Sequence, residues 1–139
     1  MRWHRLLTVG IFVVTAAAVA RDSGAATGCV DGTVVIDGTD GAISAGPLRP
    51  NAGYWRQPQG TKIWVGSTRP QPPTSAFIEV RRLDGHAEPI RAERGPDQIA
   101  EVAGLALFYP GTLRIPEPGR WQITVRIGPD DGCFVVEVD

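Results

Sequence analysis

Apolar and polar residues alternate most regularly near the end of the chain, over residues 120–127. The apolar positions are Trp121, Ile123, Val125 and Ile127, and the positions between them are Arg120, Gln122, Thr124 and Arg126. Successive side chains of a β-strand point to opposite faces of the sheet. The pattern therefore predicts a strand with one face in the core and one face in solvent.

A second strand is predicted over residues 133–138, after a turn at residues 128–132, so that the two strands form a C-terminal hairpin. Its apolar alternate positions are Phe134, Val136 and Val138. Cys133 then faces away from the core, together with Val135 and Glu137. We therefore expect Cys133 to lie at the margin of the sheet or to reach the N-terminal segment.

Further short segments have the β-branched and aromatic composition of strands. They are residues 33–36, 61–65, 76–82, 89–92, 105–109 and 112–115. The chain contains 17 Gly and 12 Pro, spaced as breaks between these segments, and no long amphipathic helical pattern follows Ala20. About seven to eight short strands predict an all-β fold, an immunoglobulin-like sandwich of two sheets. Residues 46–60 and the proline-rich residues 69–73 are predicted to be long connections.

The beginning of the chain has the composition of a secretory signal peptide. Arg2 and Arg5 precede an uncharged apolar run over residues 6–20, which ends in the small residues Ala18-Val19-Ala20. At about 1.5 Å per helical residue this run reaches roughly 22 Å, whereas the bilayer hydrocarbon is about 30 Å thick. We therefore expect cleavage after Ala20 and no stable membrane span afterwards, with an uncleaved anchor as the alternative.

The chain after cleavage is expected to carry a small negative charge. The sequence has 14 Lys and Arg against 15 Asp and Glu, and removal of Arg2 and Arg5 leaves 12 against 15. This balance gives no electrostatic reason to bind nucleic acid or anionic lipid. We expect a protein that is secreted or held in the periplasm or cell envelope. The predicted divisions are a signal peptide (1–20), a flexible mature N-terminus (21–28) and one β-sandwich domain (29–139).

The two cysteines, Cys29 and Cys133, lie close to the two ends of the predicted domain. In a chain that leaves the reducing cytoplasm, a disulfide between them is the economical interpretation, and it would tie the first strand to the last. The alternative is a lipoprotein signal, in which Cys29 is lipid-modified after the small residues 26–28 and Cys133 stays unpaired. The charged pair Arg21-Asp22 separates Cys29 from the apolar run and favours the disulfide.

The end of the chain resembles a known family. Pro118-Gly119-Arg120-Trp121-Gln122-Ile123-Thr124-Val125, a turn and Cys133-Phe134-Val135-Val136-Glu137-Val138 look like the last two strands of small secreted bacterial immunoglobulin-like domains. The resemblance covers about twenty residues and implies a fold rather than a function. Some copper-handling exported proteins end similarly, but they use His or Met ligands. After residue 20 this chain has His86 as its one histidine and no Met, so no binding residue is carried over.

Candidate catalytic and metal-binding residues are few. Because no Ser or Cys lies in an activating turn, and His86 lies in a predicted solvent-exposed turn, we expect neither a catalytic residue nor a cofactor. Residues 37–41 alternate carboxylates with glycines, as a calcium loop does, but they lack its later bidentate Glu, and we interpret them as a hairpin turn. A hydrolase-type enzyme whose site is assembled only by the fold stays as a third hypothesis.

Three neighbouring residues form the candidate contact surface. Tyr54, Trp55 and Arg56 lie in a predicted loop, whereas Trp64 and Trp121 lie in apolar strands and are expected to fill the core. The leading hypothesis is a non-catalytic interaction or structural module that contacts a protein or glycan of the envelope through this loop. The runner-up is a carbohydrate- or small-ligand-binding domain that uses the same aromatic residues.

Overall fold

The computed structural model describes residues 28–49 and 54–139, apart from the side chain of Arg56. These ranges contain ten strands, which form two sheets of five strands each. Sheet A contains, in spatial order, β1 (Val30–Asp31), β10 (Asp130–Val138), β9 (Gly119–Ile127), β5 (Ala76–Arg82) and β6 (Ile90–Arg94). Sheet B contains β2 (Gly38–Asp40), β3 (Ile43–Gly46), β4 (Thr61–Ser67), β8 (Leu105–Leu113) and β7 (Ala100–Val102). Two short 3₁₀ turns, Tyr54–Arg56 and Pro96–Gln98, lie in the connections.

The chain passes between the two sheets in the manner of an immunoglobulin sandwich. From β4 it crosses to the β5–β6 hairpin of sheet A, returns to the β7–β8 hairpin of sheet B, and crosses again to the β9–β10 hairpin. The predicted all-β, two-sheet sandwich is confirmed. The described residues contain ten strands instead of the expected seven to eight, because β1, β2 and β7 are only two or three residues long.

The core lies between the sheets and is built from alternate residues of the long strands. Its members from β9 and β10 are Trp121, Ile123, Val125, Ile127, Phe134, Val136 and Val138, as the alternation predicts. Its members from β4 and β8 are Ile63, Val65, Leu107, Tyr109 and Leu113. Full burial of one such aliphatic side chain is worth about 1.5–3 kcal/mol, so this layer dominates the stability of the fold.

The C-terminal hairpin is confirmed, with a tighter turn than the one predicted. Ile127 pairs with Asp130, so only Gly128 and Pro129 lie between the strands, and β10 begins at Asp130 instead of Cys133. Gly128 has φ +57°, a left-handed conformation that glycine adopts without a steric penalty. The strand predicted at residues 76–82 has the observed bounds, and those predicted at 61–65 and 89–92 lie within two residues of β4 and β6.

The strand predicted at residues 33–36 is wrong, because these residues form a turn between β1 and β2. The Asp31 carboxylate accepts hydrogen bonds from the backbone N–H and the hydroxyl of Thr33, at 2.9 and 2.7 Å. This local pairing takes the N–H group that a strand ladder would need. The hairpin predicted for residues 37–41 begins as β2 and turns at Gly41 and Ala42, between the paired residues Asp40 and Ile43.

The strands predicted at residues 105–109 and 112–115 merge into one continuous strand, β8, which ends at Leu113, so residues 114 and 115 lie outside it. Thr112 directs its carbonyl away from β4, since Nη2 of Arg94 donates to that oxygen at 3.0 Å. Pro110 is two residues earlier, so its nitrogen lies on the same side, where β7 has already ended. The missing N–H of the proline is therefore at a free edge, where proline is tolerated.

The buried side chain of Arg94 connects the two sheets, from β6 of sheet A to β8 of sheet B. It is 5% exposed and lies against the backbone of Gly111, leaving no room for a side chain there. Burial lowers the pKa of Arg94. No carboxylate among the described residues pairs with it, so its hydrogen bond to the Thr112 carbonyl is its main polar contact.

The disulfide between Cys29 and Cys133 is present, with an S–S distance of 2.02 Å and a Cα–Cα distance of 4.8 Å. Strand β1 runs parallel to β10, with Val30 opposite Phe134, so Cys29 lies directly beside Cys133. The bridge therefore lies on the outer side of sheet A at its edge, where the alternation had directed Cys133. Oδ2 of Asp40 accepts a hydrogen bond from the backbone N–H of Cys133 at 2.9 Å and caps the same edge.

The predicted signal peptide, residues 1–20, lies outside the described residues, as do residues 21–27 of the predicted flexible N-terminus. Within the described ranges, no helix is long and apolar enough to cross a membrane. A disulfide of this kind is typical of chains that fold outside the reducing cytoplasm.

Candidate functional site

The loop predicted as the contact surface is only partly at the surface. Trp55 is 2% exposed and belongs to the core, so it is not available for the contact that its loop position suggested. The 3₁₀ turn folds back against the end of the sandwich, where the Trp55 carbonyl accepts a hydrogen bond from the N–H of Ile115 at 3.4 Å. A tryptophan buries a large apolar area when a loop folds back in this way, and that return cannot be inferred from local composition.

Tyr54 is half-buried, and its hydroxyl donates to the carbonyl of Lys62 at 3.3 Å. The hydroxyl of Thr61 donates to the carbonyl of Tyr54, which ties the turn to the start of β4. The side chain of Arg56 lies outside the described part of the structure. Tyr54 is therefore the predicted contact residue that the fold places beside the outer face of β4.

Trp64 is predicted to fill the core, but it lies on the outer face of sheet B, whereas Trp55 occupies a core position. Ile63 and Val65, on either side of Trp64, point inward and are buried, so the alternation of β4 turns Trp64 outward. Trp121 is 1% exposed and confirms the core position predicted for it. The apolar run of residues 63–65 conceals this alternation, because all three side chains are hydrophobic.

Trp64 and Phe108 lie together on this outer face. Their ring centroids are 5.6 Å apart with an angle of 33° between the planes, and both residues are partly exposed. Trp64 is paired with Pro110, so Phe108 is its diagonal neighbour two residues along β8. We call the outward side of β3, β4 and β8 around these two rings the aromatic face.

The aromatic face has very little charge. Its outward positions are Ser44 and Gly46 on β3, Lys62, Trp64 and Gly66 on β4, and Ala106, Phe108, Pro110 and Thr112 on β8. Lys62 is the one charged residue in these three strands, all of which lie in the described ranges. At the edge of the face, the hydroxyl oxygens of Thr39 and Ser44 are 2.9 Å apart.

Asp37 approaches the aromatic face at Gly46. A side chain on Gly46 would collide with the Asp37 carboxylate and would begin 3.0 Å from Cζ2 of Trp64, so the carboxylate and the indole occupy the space that glycine leaves. Asp37 is exposed, and among the described residues nothing forms a hydrogen bond or an ion pair with it. The site therefore combines two stacking surfaces with a carboxylate that no described residue pairs with.

The groups with shifted pKa values lie elsewhere. The pKa of Glu79 is lowered by its hydrogen bond from Arg91, and that of Asp84 by a hydrogen bond from the backbone N–H of Arg120. Burial raises the pKa of Tyr109, whose hydroxyl donates to the carbonyl of Thr74 inside the sandwich. None of these three side chains is on the aromatic face, so its chemistry is that of stacking and hydrogen bonding.

Other candidate sites have less to offer a ligand. A shallow groove of about 530 Å³ lies between residues 71–73 and the β7–β8 hairpin, but the side chain of Gln71 on its wall is engaged by Ser67 and Asp130. His86 is exposed in the connection after β5. Among the described residues, no group of three or more His, Cys, Asp or Glu is arranged to hold a metal ion.

The sequence contains one signal that could have located the aromatic face. Once Ile63 and Val65 are taken as the inward pair of β4, and Leu107 and Tyr109 as that of β8, both Trp64 and Phe108 must point outward. The position of Asp37 depends on the turn at residues 32–37, which local propensity does not indicate.

Comparison with protein-family models gave no match to this chain, and comparison with curated proteins and with solved structures gave no significant match either.

Proposed function

We propose that this protein is a non-catalytic binding module outside the cytoplasm, and that it binds glycans through the aromatic face. The observation that carries the proposal is the partly exposed pair of Trp64 and Phe108, 5.6 Å apart on a sheet face with a single charged strand residue. Neighbouring aromatic rings that stay partly exposed on a sheet face present flat apolar surfaces on which a ligand can stack.

A glycan fits this face for three reasons. The C–H groups on one side of a sugar ring stack on an aromatic plane, and Trp64 and Phe108 offer two such planes within the span of neighbouring sugar units. The strands around the two rings carry a single charge, that of Lys62, so the face beside them is largely apolar. The hydroxyl of Thr39 and the carboxylate of Asp37, which both belong to exposed residues, supply acceptors for sugar hydroxyl groups.

The location and the relationships of the protein follow the same proposal. The disulfide and the signal-like first twenty residues support secretion or retention in the periplasm or cell envelope, where glycans are abundant. The connectivity of the sandwich supports a place among small secreted bacterial immunoglobulin-like domains. A lipid-modified Cys29 is disfavoured, because that residue is in the disulfide.

The test is a glycan array probed with the exported protein and with Trp64→Ala and Phe108→Ala variants. We expect one glycan class to bind the native protein, and each substitution to weaken that binding at least about tenfold, since stacking residues dominate such contacts. Phe77→Ala is the matched control, because Phe77 is an exposed aromatic residue on the outer face of sheet A. Equal losses for Phe77→Ala and Trp64→Ala would contradict the proposal.

A protein partner is the second candidate, favoured by the turn between β1 and β2. Val34 and Ile36 are 69% and 63% exposed, which is unusual for two β-branched apolar residues so close in the chain. In this case a Val34→Ser/Ile36→Ser double variant would lose capture of the partner from an envelope extract, while Trp64→Ala would retain it.

A further inference from the structure

We propose that the aromatic face recognises the protonated amino group of an amino sugar, with Asp37 as the anion that selects it. The inference rests on the proposed glycan-binding function and names the class of glycan. The structural basis is the shared position of the Asp37 carboxylate and the Trp64 indole, both of which lie against the backbone of Gly46.

Asp37 differs from three other carboxylates near strand ends, those of Asp31, Asp40 and Asp84. Asp31 accepts two hydrogen bonds from Thr33, and Asp84 accepts them from Arg82 and the N–H of Arg120. Asp40 accepts one from the N–H of Cys133. Asp37 accepts none from any described residue, although the backbone of Gly46 brings it next to an aromatic ring. Its charge is therefore available to a ligand.

An ammonium group is the ligand chemistry that this pair attracts most strongly. The face of an indole attracts a cation through its negative π-electron density, and a carboxylate forms charge-assisted hydrogen bonds with N–H donors. A neutral sugar uses only stacking and ordinary hydrogen bonds at the same place. A 2-amino sugar adds a cation at the edge of the ring that stacks, within reach of a carboxylate beside the indole.

Lys62 is the charged group that opposes this recognition. It lies two residues from Trp64 on the same face, opposite Thr112, and its ammonium group is exposed. Gly46, and with it Asp37, is on the β3 side of Trp64, directly opposite the indole in the sheet. We therefore expect the amino group to bind on the β3 side, away from Lys62, and removal of the Lys62 charge to strengthen its binding slightly.

The test is a calorimetric titration of the exported protein with three tetrasaccharides of the same linkage, made of glucosamine, N-acetylglucosamine and glucose. We expect the glucosamine tetramer to bind about tenfold more tightly than the other two, and added salt to reduce this preference. Asp37→Asn should abolish the preference and leave stacking intact, because the two side chains have nearly the same shape and Asp37 forms no hydrogen bond or ion pair with a described residue. Lys62→Met is the matched charge control, and it should preserve or increase the preference.

The outcomes separate the two proposals. If the three tetramers bind equally to the native protein, or if Asp37→Asn keeps the preference for glucosamine, the inference about Asp37 is wrong while the glycan-binding function stands. If none of the tetramers binds and no glycan of the array binds, the proposed function is wrong as well. Tighter binding of tetralysine than of the glucosamine tetramer would also overturn the inference, because the cation recognised would then be that of a peptide.

Discussion

The two outer faces of the sandwich are built by the same alternation, yet they have opposite chemistry. On sheet A many of the outward residues are charged, and several residues of opposite charge stand opposite each other across the strands. The opposed pairs are Glu79 with Arg91, Arg120 with Glu137, and Arg126 with Asp131. Such cross-strand pairs stabilise a sheet modestly and keep its face in water. The charges of this face are thus largely balanced within the protein.

The outer face of sheet B has no such balance. Its three central strands carry only Lys62 as a charge, and the aromatic pair of Trp64 and Phe108 occupies the centre. Phe77 shows the difference well, since it is an exposed aromatic residue of sheet A and the guanidinium of Arg126 covers it, 5.4 Å from the ring centroid. Trp64 has no cation above it in the described ranges.

The comparison indicates which face is available to a partner. On sheet A several charged groups face opposite charges and Phe77 is covered by Arg126. A ligand there would gain little binding free energy, because it must replace contacts that already exist. A face with stacked rings and an unengaged carboxylate leaves interactions to be made. This difference supports the proposal that sheet A stabilises the fold and that sheet B carries the binding face.

The largest expected effect concerns the bridge at the edge of sheet A. Replacement of Cys29 and Cys133 by Ser removes a crosslink over a sequence separation of 104. The chain-entropy model predicts a loss of about 4 to 5 kcal/mol in the free energy of unfolding, measured by urea denaturation with and without reductant. Molecules of the variant that stay folded should bind glycan normally, because the bridge is on the other sheet. Loss of binding without loss of stability would break the separation of the two faces.

The second-largest expected effect is a difference in the stability lost on replacing the buried Trp55 and the outward Trp64. Trp55→Ala should lower the free energy of unfolding by about 3 to 4 kcal/mol, since it empties a buried site in the core. Trp64→Ala should cost about 1 kcal/mol, because it removes one aromatic contact from a partly exposed surface. Denaturation curves of both variants provide the measurement. Similar losses would mean that the aromatic face is part of the supporting structure.

The smallest effect is a dependence on pH that belongs to the charged side of the molecule. The pKa values of Glu79 and Asp84 are lowered from ordinary values of 4.5 and 3.8, mainly by hydrogen bonds from Arg91 and from the N–H of Arg120. A lowered pKa in the folded state adds stability above the ordinary value, and this is lost as the pH falls through the lowered value. The melting temperature should therefore fall below about pH 4. Asp84→Asn should flatten the decrease, and an unchanged profile would exclude this cause.

The sequence alone was sufficient for the all-β, two-sheet class and for the C-terminal hairpin, but not for strands β2, β3 and β7 or for the site. Strict alternation at residues 120–127 fixed the inner and outer faces of β9, and the pairing of Cys29 with Cys133 followed from their number and position. Both predictions depend on local patterns or on counting. Trp55 is buried because its loop folds back onto the core, and Trp64 points outward because Ile63 and Val65 take the inward positions of the apolar segment 63–65. Both outcomes are set by tertiary packing and not by local sequence.

Asp37 shows the same limit in another form. Its residue type and its neighbours predict a turn, and a turn is indeed close by at Gly41 and Ala42. Asp37 can lie beside Trp64 only because Gly46 has no side chain to fill the space between them. Asp37 and Gly46 are nine positions apart in the sequence. A contact of this kind between distant residues arises only in the folded chain, and no local sequence pattern indicates it.

The most direct test of the central claim is an NMR titration of the indole N–H signals with a glycan selected on the array. The chain after residue 20 contains three tryptophans, Trp55, Trp64 and Trp121, of which only Trp64 is on an outer face. We predict that the Trp64 signal shifts with ligand concentration while those of Trp55 and Trp121 stay in place. Shifts confined to the backbone around Phe77 and Arg126, with an unmoved Trp64 signal, would place binding on sheet A and contradict the account.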